Sequence, residues 1–390
     1  MRKFLRYAAR YRGWRSYLCC PGDGRIRPQI AAAVLLRALL VARLLREVSF
    51  LGTESLVRSS ARQGMAVRRS FGDDALSYVT ERLDVERLRG TVGAVVRQAK
   101  RNKAFDGRRW IGLALDGTGA GGSREKKCEW CRPVRNQKKE IVGYGHKLVM
   151  VSVAGTELSL PLDVEPYGSG DSEYSAGQRL LRRAVKSVGS RFADYVVVDG
   201  EFATAPFLHT AGDLGLKVVA RLKANLPELF EAAQRRFTGR PPDQTFRHGR
   251  DRVEIWDADD FDPWENLRWE TVRVIRYQQH KPDGTMVEAY WLTDFSKKQA
   301  GNQAIFGMAK SRWEIENQGF NDAKNRYGLE HVCHHHRNSL LINWLITVLT
   351  LMLERLYRIR HLHRGTHPVL ESIELLRLLR LSLLEPADTS

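Results

Sequence analysis

Two aspartates each follow a short, strongly apolar stretch of the sequence. The run Trp110–Leu115 leads into Asp116. The run Tyr195–Val198 leads into Asp199, and glycine follows both aspartates. Such a run is typical of a buried strand, and the glycine lets the backbone turn away at the strand end. If the strands are neighbours in a sheet, both carboxylates project from the same edge. The alternative is that each Asp-Gly pair is only a turn.

Two neighbouring carboxylates repel each other unless a cation lies between them, so the pattern points to a hard divalent metal, Mg²⁺ or Mn²⁺. Glu316, in a segment predicted to begin a helix, is the candidate for a third acidic ligand. On a regular helix Arg312 would lie about 40° and Lys324 about 80° from Glu316, so two cations would flank it and could grip DNA phosphates. Alternatively, Arg312 and Glu316 form an ordinary surface ion pair.

The chain is strongly basic, with 63 Lys and Arg against 45 Asp and Glu in 390 residues and a formal net charge of +18. Residues 1–70 alone hold 15 basic and three acidic residues. This excess predicts a polyanionic partner. Three acids holding two metals on a basic protein are what phosphodiester cleavage requires. The apolar share of 43% excludes a disordered chain.

Cysteine usage and hydropathy predict a cytoplasmic protein. Five cysteines in a chain of this length do not form a disulfide scaffold, and they indicate reduced thiols. Arginines interrupt the N-terminal region where a signal peptide would be continuously apolar. The most apolar segment, Leu340–Leu353, is shorter than the roughly 20 residues that a membrane span needs. It is interpreted as a buried core helix, with a membrane anchor as the alternative.

The periodicity of apolar residues divides the chain into five parts. Residues 1–105 form a basic helical domain, predicted to bind or hold DNA ends. Residues 106–226 form the first part of a mixed α/β sheet with flanking helices. A β-rich block over residues 227–300 interrupts that domain, residues 301–356 supply its final helices, and residues 357–390 form a helical tail. The strands predicted beyond the two aspartates lie at His146–Val153, Leu158–Val164, Leu216–Leu222, Arg252–Trp256, Trp269–Tyr277 and Met286–Leu292. Lys281–Thr285 is a predicted hairpin turn.

The motifs around the three acids resemble those of the DDE transposases of bacterial insertion sequences. They are DGTG from Asp116, VVVDGEF at 196–202 and RWEIENQGFNDAKNRYGLEH at 312–331. The resemblance implies an RNase H-like core, split by a β-rich insertion between the second Asp and the Glu. It also implies that Asp116, Asp199 and Glu316 are the catalytic triad, with two Mg²⁺ or Mn²⁺ ions.

The resemblance further implies metal-dependent cleavage at element ends and transfer of the 3′-hydroxyl into target DNA. The partners would be double-stranded DNA, as terminal inverted repeats and as target, and a second copy of the chain on that DNA. Two alternatives remain open: a metal-dependent nuclease or resolvase on the same core, and a catalytically silent DNA-binding protein derived from a transposase. Tryptophans of the β-rich block could stack on an extruded base or belong to the core; they are Trp256, Trp264 and Trp269.

A second constellation could hold a structural zinc ion. Cys128 and Cys131 form a CxxC pair, and His331 and His335, spaced i, i+4, would complete four ligands if the loop after Asp116 meets the end of the helix that contains Glu316. Further residues compete for the second pair of positions: His146, Cys333, His334 and His336. The alternative is free thiols beside a solvated histidine cluster.

Overall fold

The computed structural model describes residues 1–107, 109–363 and 368–384. The N-terminal region is helical, as predicted, and its helices are α1 (Arg2–Ala8), α2 (Arg12–Cys19), α3 (Ala32–Leu44), α4 (Phe50–Arg58), α5 (Ala61–Gly64), α6 (Asp73–Arg82) and α7 (Val85–Arg101). The Asp84 carboxylate caps α7 by accepting the backbone N–H groups of Glu86 and Arg87. The buried face of α7 repeats at helical spacing through Leu88, Val92, Val95, Val96 and Ala99.

A single sheet of ten strands forms the centre of the described chain. Its strands are β1 (Gly112–Ser123), β2 (Arg132–Arg135), β3 (Ile141–Ala154), β4 (Pro161–Tyr167), β5 (Tyr195–Val198), β6 (Lys217–Leu222), β7 (Gln244–His248), β8 (Asp251–Phe261), β9 (Val272–His280) and β10 (Met286–Thr293). The order is β2-β3-β1-β5-β6-β10-β9-β8-β7, and β4 also pairs with β3. Only β1, β5 and β6 pair in parallel. This confirms the predicted mixed α/β fold.

The parallel pairing of β1 with β5 aligns the two aspartates. Gly112 is opposite Tyr195 and Ala114 is opposite Val197, an offset of 83 residues. Asp116 and Asp199 differ by the same offset and lie two residues beyond the last pair, Ala114 with Val197, so the register directs both towards the same end of the paired strands. Helix α8 (Glu173–Val188) connects β4 to β5, and α9 (Ala205–Asp213) connects β5 to β6.

The prediction that the first strand ends at Asp116 is wrong. Strand β1 continues to Ser123, and Asp116 lies opposite Met150 of β3 in its middle. The reason is that β1 loses its partner β5 after Val198 on one side, while antiparallel β3 continues to pair on the other. Strands β2 and β7 were not predicted, because these largely exposed strands at the two ends of the sheet carry no apolar run.

The β-rich block continues the same sheet instead of forming a sheet of its own. After α10 (Pro227–Phe237), the block supplies β7 to β10, and β10 pairs antiparallel with β6 of the core. The predicted hairpin turn joins β9 to β10, with Gly284 at a φ of 83°. The part of the chain that follows Asp199 and the part that precedes Glu316 are therefore joined by backbone hydrogen bonds.

The helices after the block complete the core. They are α11 (Asn302–Ser311), a π-helical segment (Ile315–Phe320), α12 (Asn321–Asn325), α13 (Arg337–Tyr357), a second π-helical segment (Arg358–Leu362) and α14 (Ser372–Leu384). The continuous helix over Arg337–Leu362 is long and apolar enough to cross a membrane, but its apolar window is entirely buried in the protein. It packs on α3, α6, α7 and β4, as a core helix does. Of the predicted tail, residues 364–367 and 385–390 lie outside the described residues.

Buried ion pairs join α7 of the helical region to the sheet. Arg89 of α7 and Arg183 of α8 both contact Asp163 of β4, at 3.2 and 2.6 Å. Both arginines also reach Glu165, and Asp163 is only 5% exposed. Two carboxylates, Asp163 and Glu165, therefore compensate two guanidinium groups at the place where three elements meet.

We expect Asp163→Asn to lower the free energy of unfolding by about 3 to 5 kcal/mol, because it leaves two partly buried arginines with less compensating charge. Chemical denaturation measures the change. The matched control is Asp260→Asn, whose ion pair with Arg236 is exposed on both sides and is expected to shift stability by no more than about 0.5 kcal/mol. Equal losses in the two variants would show that the buried cluster does not stabilise the fold.

Candidate active site

Arg312 brings two of the three predicted acids together. Its Nη1 atom lies 3.1 Å from Oδ2 of Asp116 and 2.7 Å from Oε1 of Glu316. Because one nitrogen contacts both carboxylates, Oδ2 of Asp116 and Oε1 of Glu316 cannot be further apart than the sum of these two distances. The Arg312 side chain is 11% exposed, so this is not the surface pair considered from the sequence.

Asp199 lies at the end of β5 and carries its own cation. The Nζ atom of Lys223, directly after the neighbouring strand β6, donates to Oδ2 of Asp199 at 2.8 Å. Burial opposes ionisation of Asp199, but the hydrogen bonds from Lys223 and from the Gly200 backbone, with the charges of Lys223 and Arg312, keep its pKa below the usual value. Arg312 therefore acts electrostatically on all three acids.

Asp116 has the opposite titration behaviour. Burial raises its pKa to about 7, and the nearby charges of Glu316 and Glu173 add to the rise, although Arg312 and the backbone N–H of Gly117 oppose it. Asp116 and Asp199 are thus inequivalent: one is held ionised by a lysine, and the other is crowded by further carboxylates. A cation placed among these groups would favour the ionised form of Asp116.

Glu173 is a fourth acid at this site that was not predicted. It is the first residue of α8, and its carboxylate lies against the Cα of Gly117, where a Cβ atom would come within 2.2 Å of the Glu173 Cδ. The Tyr167 hydroxyl donates to Glu173 at 2.7 Å and orients it. An acid in the first turn of a helix is favoured by the helix dipole alone, so the sequence offers no signal for this role.

The ion-pair partner of Lys324 is a different carboxylate from Glu316. Lys324 forms an ion pair with Glu330 at 2.8 Å. The predicted position assumed a regular α-helix, whereas Glu316 lies in the π-helical segment Ile315–Phe320. The wider turn rotates every later residue away from the expected angle.

The structure brings the predicted zinc-binding residues together, with one histidine different from the predicted set. One ligand atom from each of four residues lies within 4.8 Å of the others; the residues are Cys128, Cys131, His146 and His335. His331 is not in this group, and His146 of β3 takes its place. The prediction of His331 is wrong because residues 328–336 are not helical, so His331 and His335 do not share a helix face.

The other competing residues have different partners. Cys333 donates to the Val48 carbonyl and accepts from Arg43, and His334 contacts Glu81 at 2.8 Å. The His336 ring stacks on that of His334. Only His146 among the competitors therefore joins the four-residue group.

Of the three tryptophans considered from the sequence, Trp264 lies beside the residues that follow Asp199. It lines an open cavity of about 720 Å³ together with Gly200 and Glu201, the residues after Asp199. Trp256 is buried, and its indole N–H donates to the Arg240 carbonyl, which is a core role.

Comparison with known families decides what kind of protein carries this site. The sequence matches the family model described as "Transposase DDE domain" over residues 111–353. That range covers more than half of the chain and contains all three predicted acids. The chain belongs to the DDE transposase family.

Other comparisons add little to this assignment. No curated protein matches the sequence of this transposase. Among solved structures, one match is a cryo-EM structure of the piggyBac transposase synaptic complex with hairpin DNA, at 14% identity and a TM-score of 0.47. It covers 98% of this chain and 77% of that chain. At that TM-score the folds agree only loosely, so the family assignment depends on the sequence model.

The raised pKa of Asp116 predicts how the stability of the transposase changes with pH in a chelating buffer. The folded pKa of about 7 exceeds the unfolded value of 3.8, so the folded state binds the proton more tightly and the free energy of unfolding falls as pH rises between these values. Asp116→Asn removes that fall. We therefore expect the variant to gain stability over the wild type as the pH is raised from about 5.5 to about 8.

Denaturant titrations at the two pH values test this expectation. The matched control is Asp213→Asn, on the exposed end of α9, which should follow the wild type. If the wild type and Asp116→Asn keep a constant difference over the whole range, Asp116 does not have a raised pKa.

Proposed function

We propose that this protein is a DNA transposase in which Asp116, Asp199 and Glu316 form the catalytic triad on an RNase H-like core. The observation that carries the proposal is the position of Arg312, whose Nη1 contacts both Asp116 and Glu316. The register of β1 with β5, which has the same 83-residue offset as Asp116 and Asp199, supports Asp199 as the third member of the triad. Residues 200 positions apart in the chain would not converge in this way to serve as separate turn or surface residues.

The donor atoms fit Mg²⁺ or Mn²⁺. All are carboxylate oxygens, the ligands that hard divalent cations prefer. Burial is the largest cause of the raised pKa of Asp116, and the charges of Glu316 and Glu173 add to it, so a bound cation would favour the ionised form. Asp116 would be shared between two ions, one held with Asp199 and the other with Glu316. When bound, such ions supply activation of a water or a 3′-hydroxyl and stabilisation of the leaving oxygen.

The residues around the acids supply orientation and phosphate binding. Tyr167 holds Glu173, and Lys223 holds Asp199. Arg312 would exchange its contacts with the acids for a DNA phosphate, since a guanidinium binds both groups in the same geometry. The stretch between β1 and β3 exposes a row of cations suited to the DNA backbone: Arg124, Lys126, Lys127, Arg135, Lys138 and Lys139.

The remaining parts of the chain complete the proposal. The basic helices of residues 1–105 would bind the terminal repeats, and the β-rich block of residues 227–300 would extend the DNA-binding surface of the core. Two ends must be held together for transposition, so the active species would be a dimer on DNA. The proposed location is the cytoplasm.

Each of three variants, Asp116→Asn, Asp199→Asn and Glu316→Gln, is expected to reduce cleavage of terminal-repeat DNA to below about one hundredth of the wild-type rate. Loss of one carboxylate removes a metal ligand without removing the basic surface, so binding of the same DNA should persist in a gel-shift assay. The control is again Asp213→Asn, which should cleave normally. A variant that retains full cleavage would exclude its residue from the triad.

A strand-transfer assay distinguishes transposition from simple cleavage. We expect a pre-cleaved end with a free 3′-hydroxyl to be joined to a plasmid target in the presence of Mg²⁺ or Mn²⁺. The same end with a 3′-deoxy terminus should not be joined, because it lacks the attacking group. Cleavage without joining would indicate a nuclease or resolvase. DNA binding without either reaction would indicate a silent DNA-binding protein.

A further inference from the structure

Three members of the group formed by Cys128, Cys131, His146 and His335 have spacings that approach those of a tetrahedral metal site, and a ligand atom of His335 lies within 4.8 Å of the others. The two sulfur atoms are 3.6 Å apart, and Nε2 of His146 lies 3.1 Å from Sγ of Cys128 and 3.5 Å from Sγ of Cys131. Around a tetrahedral zinc ion, Zn–S bonds of about 2.3 Å and Zn–N bonds of about 2.05 Å separate two sulfurs by about 3.8 Å, and a sulfur from a nitrogen by about 3.6 Å. The sulfur–sulfur separation of 3.6 Å and the 3.5 Å separation from Cys131 are close to these edges, and the 3.1 Å separation from Cys128 is shorter than its edge by about 0.5 Å.

The chemistry of the group agrees with its dimensions. Two thiolates neutralise one Zn²⁺, so the complete site would carry no net charge and could be buried at little cost. Cys131 and His146 are each 1% exposed. Without a metal, these groups are poorly satisfied: thiols are weak hydrogen-bond partners, and the buried Nδ1 of His335 has no hydrogen-bond partner in the described residues.

The backbone holds the ligands in place from three separate parts of the chain. Cys128 and Cys131 form a tight turn between β1 and β2, in which the N–H of Cys131 donates to the carbonyl of Cys128 at 3.2 Å. His146 lies on β3, beside the end of β1. His335 is two residues before α13, and Trp130 of the CxxC turn packs on Trp344 of that helix at 5.9 Å between ring centroids.

We propose that these four residues bind one structural zinc ion, which fixes the CxxC turn and β3 to the segment between Glu316 and α13. Gly121 shows how closely these parts already approach: its φ is +91°, and a Cβ atom there would lie 2.1 Å from the Glu330 carbonyl oxygen. The zinc closes a loop of about two hundred residues, which restricts the unfolded chain. This site is separate from the carboxylates and does not depend on the proposed transposition chemistry.

Metal analysis of untagged protein, purified without chelators, tests the proposal. We expect about one zinc per chain, lost in Cys131→Ser and in His335→Asn. The matched controls are Cys333→Ser and His331→Asn, which change the nearby residues that lie outside the group, and both should retain the zinc. Loss of zinc in these controls with retention in His335→Asn would overturn the ligand assignment.

Cobalt substitution of the wild-type protein provides a test that does not depend on the folding of variants. Tetrahedral Co²⁺ bound by two thiolates gives intense visible d–d bands and a thiolate charge-transfer band in the near ultraviolet. We expect both bands at one cobalt per chain, and we expect zinc to displace them. Folded wild-type protein that carries no zinc and gives neither band would overturn the proposal. The carboxylate site is tested separately, by the cleavage and strand-transfer assays.

Discussion

Compensation of buried negative charge is the constraint on which the rest of the site depends. Four carboxylates lie around β1, β5, α8 and the π-helical segment, and burial opposes the ionisation of two of them, Asp116 and Asp199. The fold places Lys223 beside Asp199 and Arg312 between Asp116 and Glu316. The charges of these cations do not offset the effect of burial on Asp116, whose pKa stays raised. A site with this residual demand for positive charge is suited to divalent metal, and its cations are suited to a phosphodiester substrate.

The sheet explains why the acids can meet although the chain separates them widely. Parallel pairing with one register brings Asp116 and Asp199 into a row. The antiparallel contact of β10 with β6 then returns the chain to the same sheet before α11 begins. Helix α11 packs on β6 and β5, and the π-helical segment that follows it, which contains Glu316, packs on β1 and β3. The position of Glu316 therefore depends on strands that were expected to form only an interruption.

The two aspartates could be found from the sequence because apolar runs mark buried strands wherever they occur. The long buried helix α13 was recognisable for the same reason. Glu173 was not recognisable as a partner of its site, and His146 could not be selected from the competing zinc ligands, because both roles arise from contacts across the sheet and not from local spacing. The expectations for Lys324 and His331 assumed regular helical geometry. Glu316, from which the position of Lys324 was reckoned, lies in a π-helical turn, and residues 328–336 around His331 are not helical. Continuity of the sheet through β10 depends on long-range pairing, which no local pattern reports.

The pairing of β10 with β6 has a consequence for the evolution of this chain. Strand β6 is buried at its centre, and β10 covers the backbone groups along one of its sides. Deleting the β-rich block would leave those N–H and C=O groups open on an apolar strand, a surface that associates with other chains. The block therefore also protects the core from aggregation, so a shortened descendant would have to cover or charge that edge before it could lose the segment.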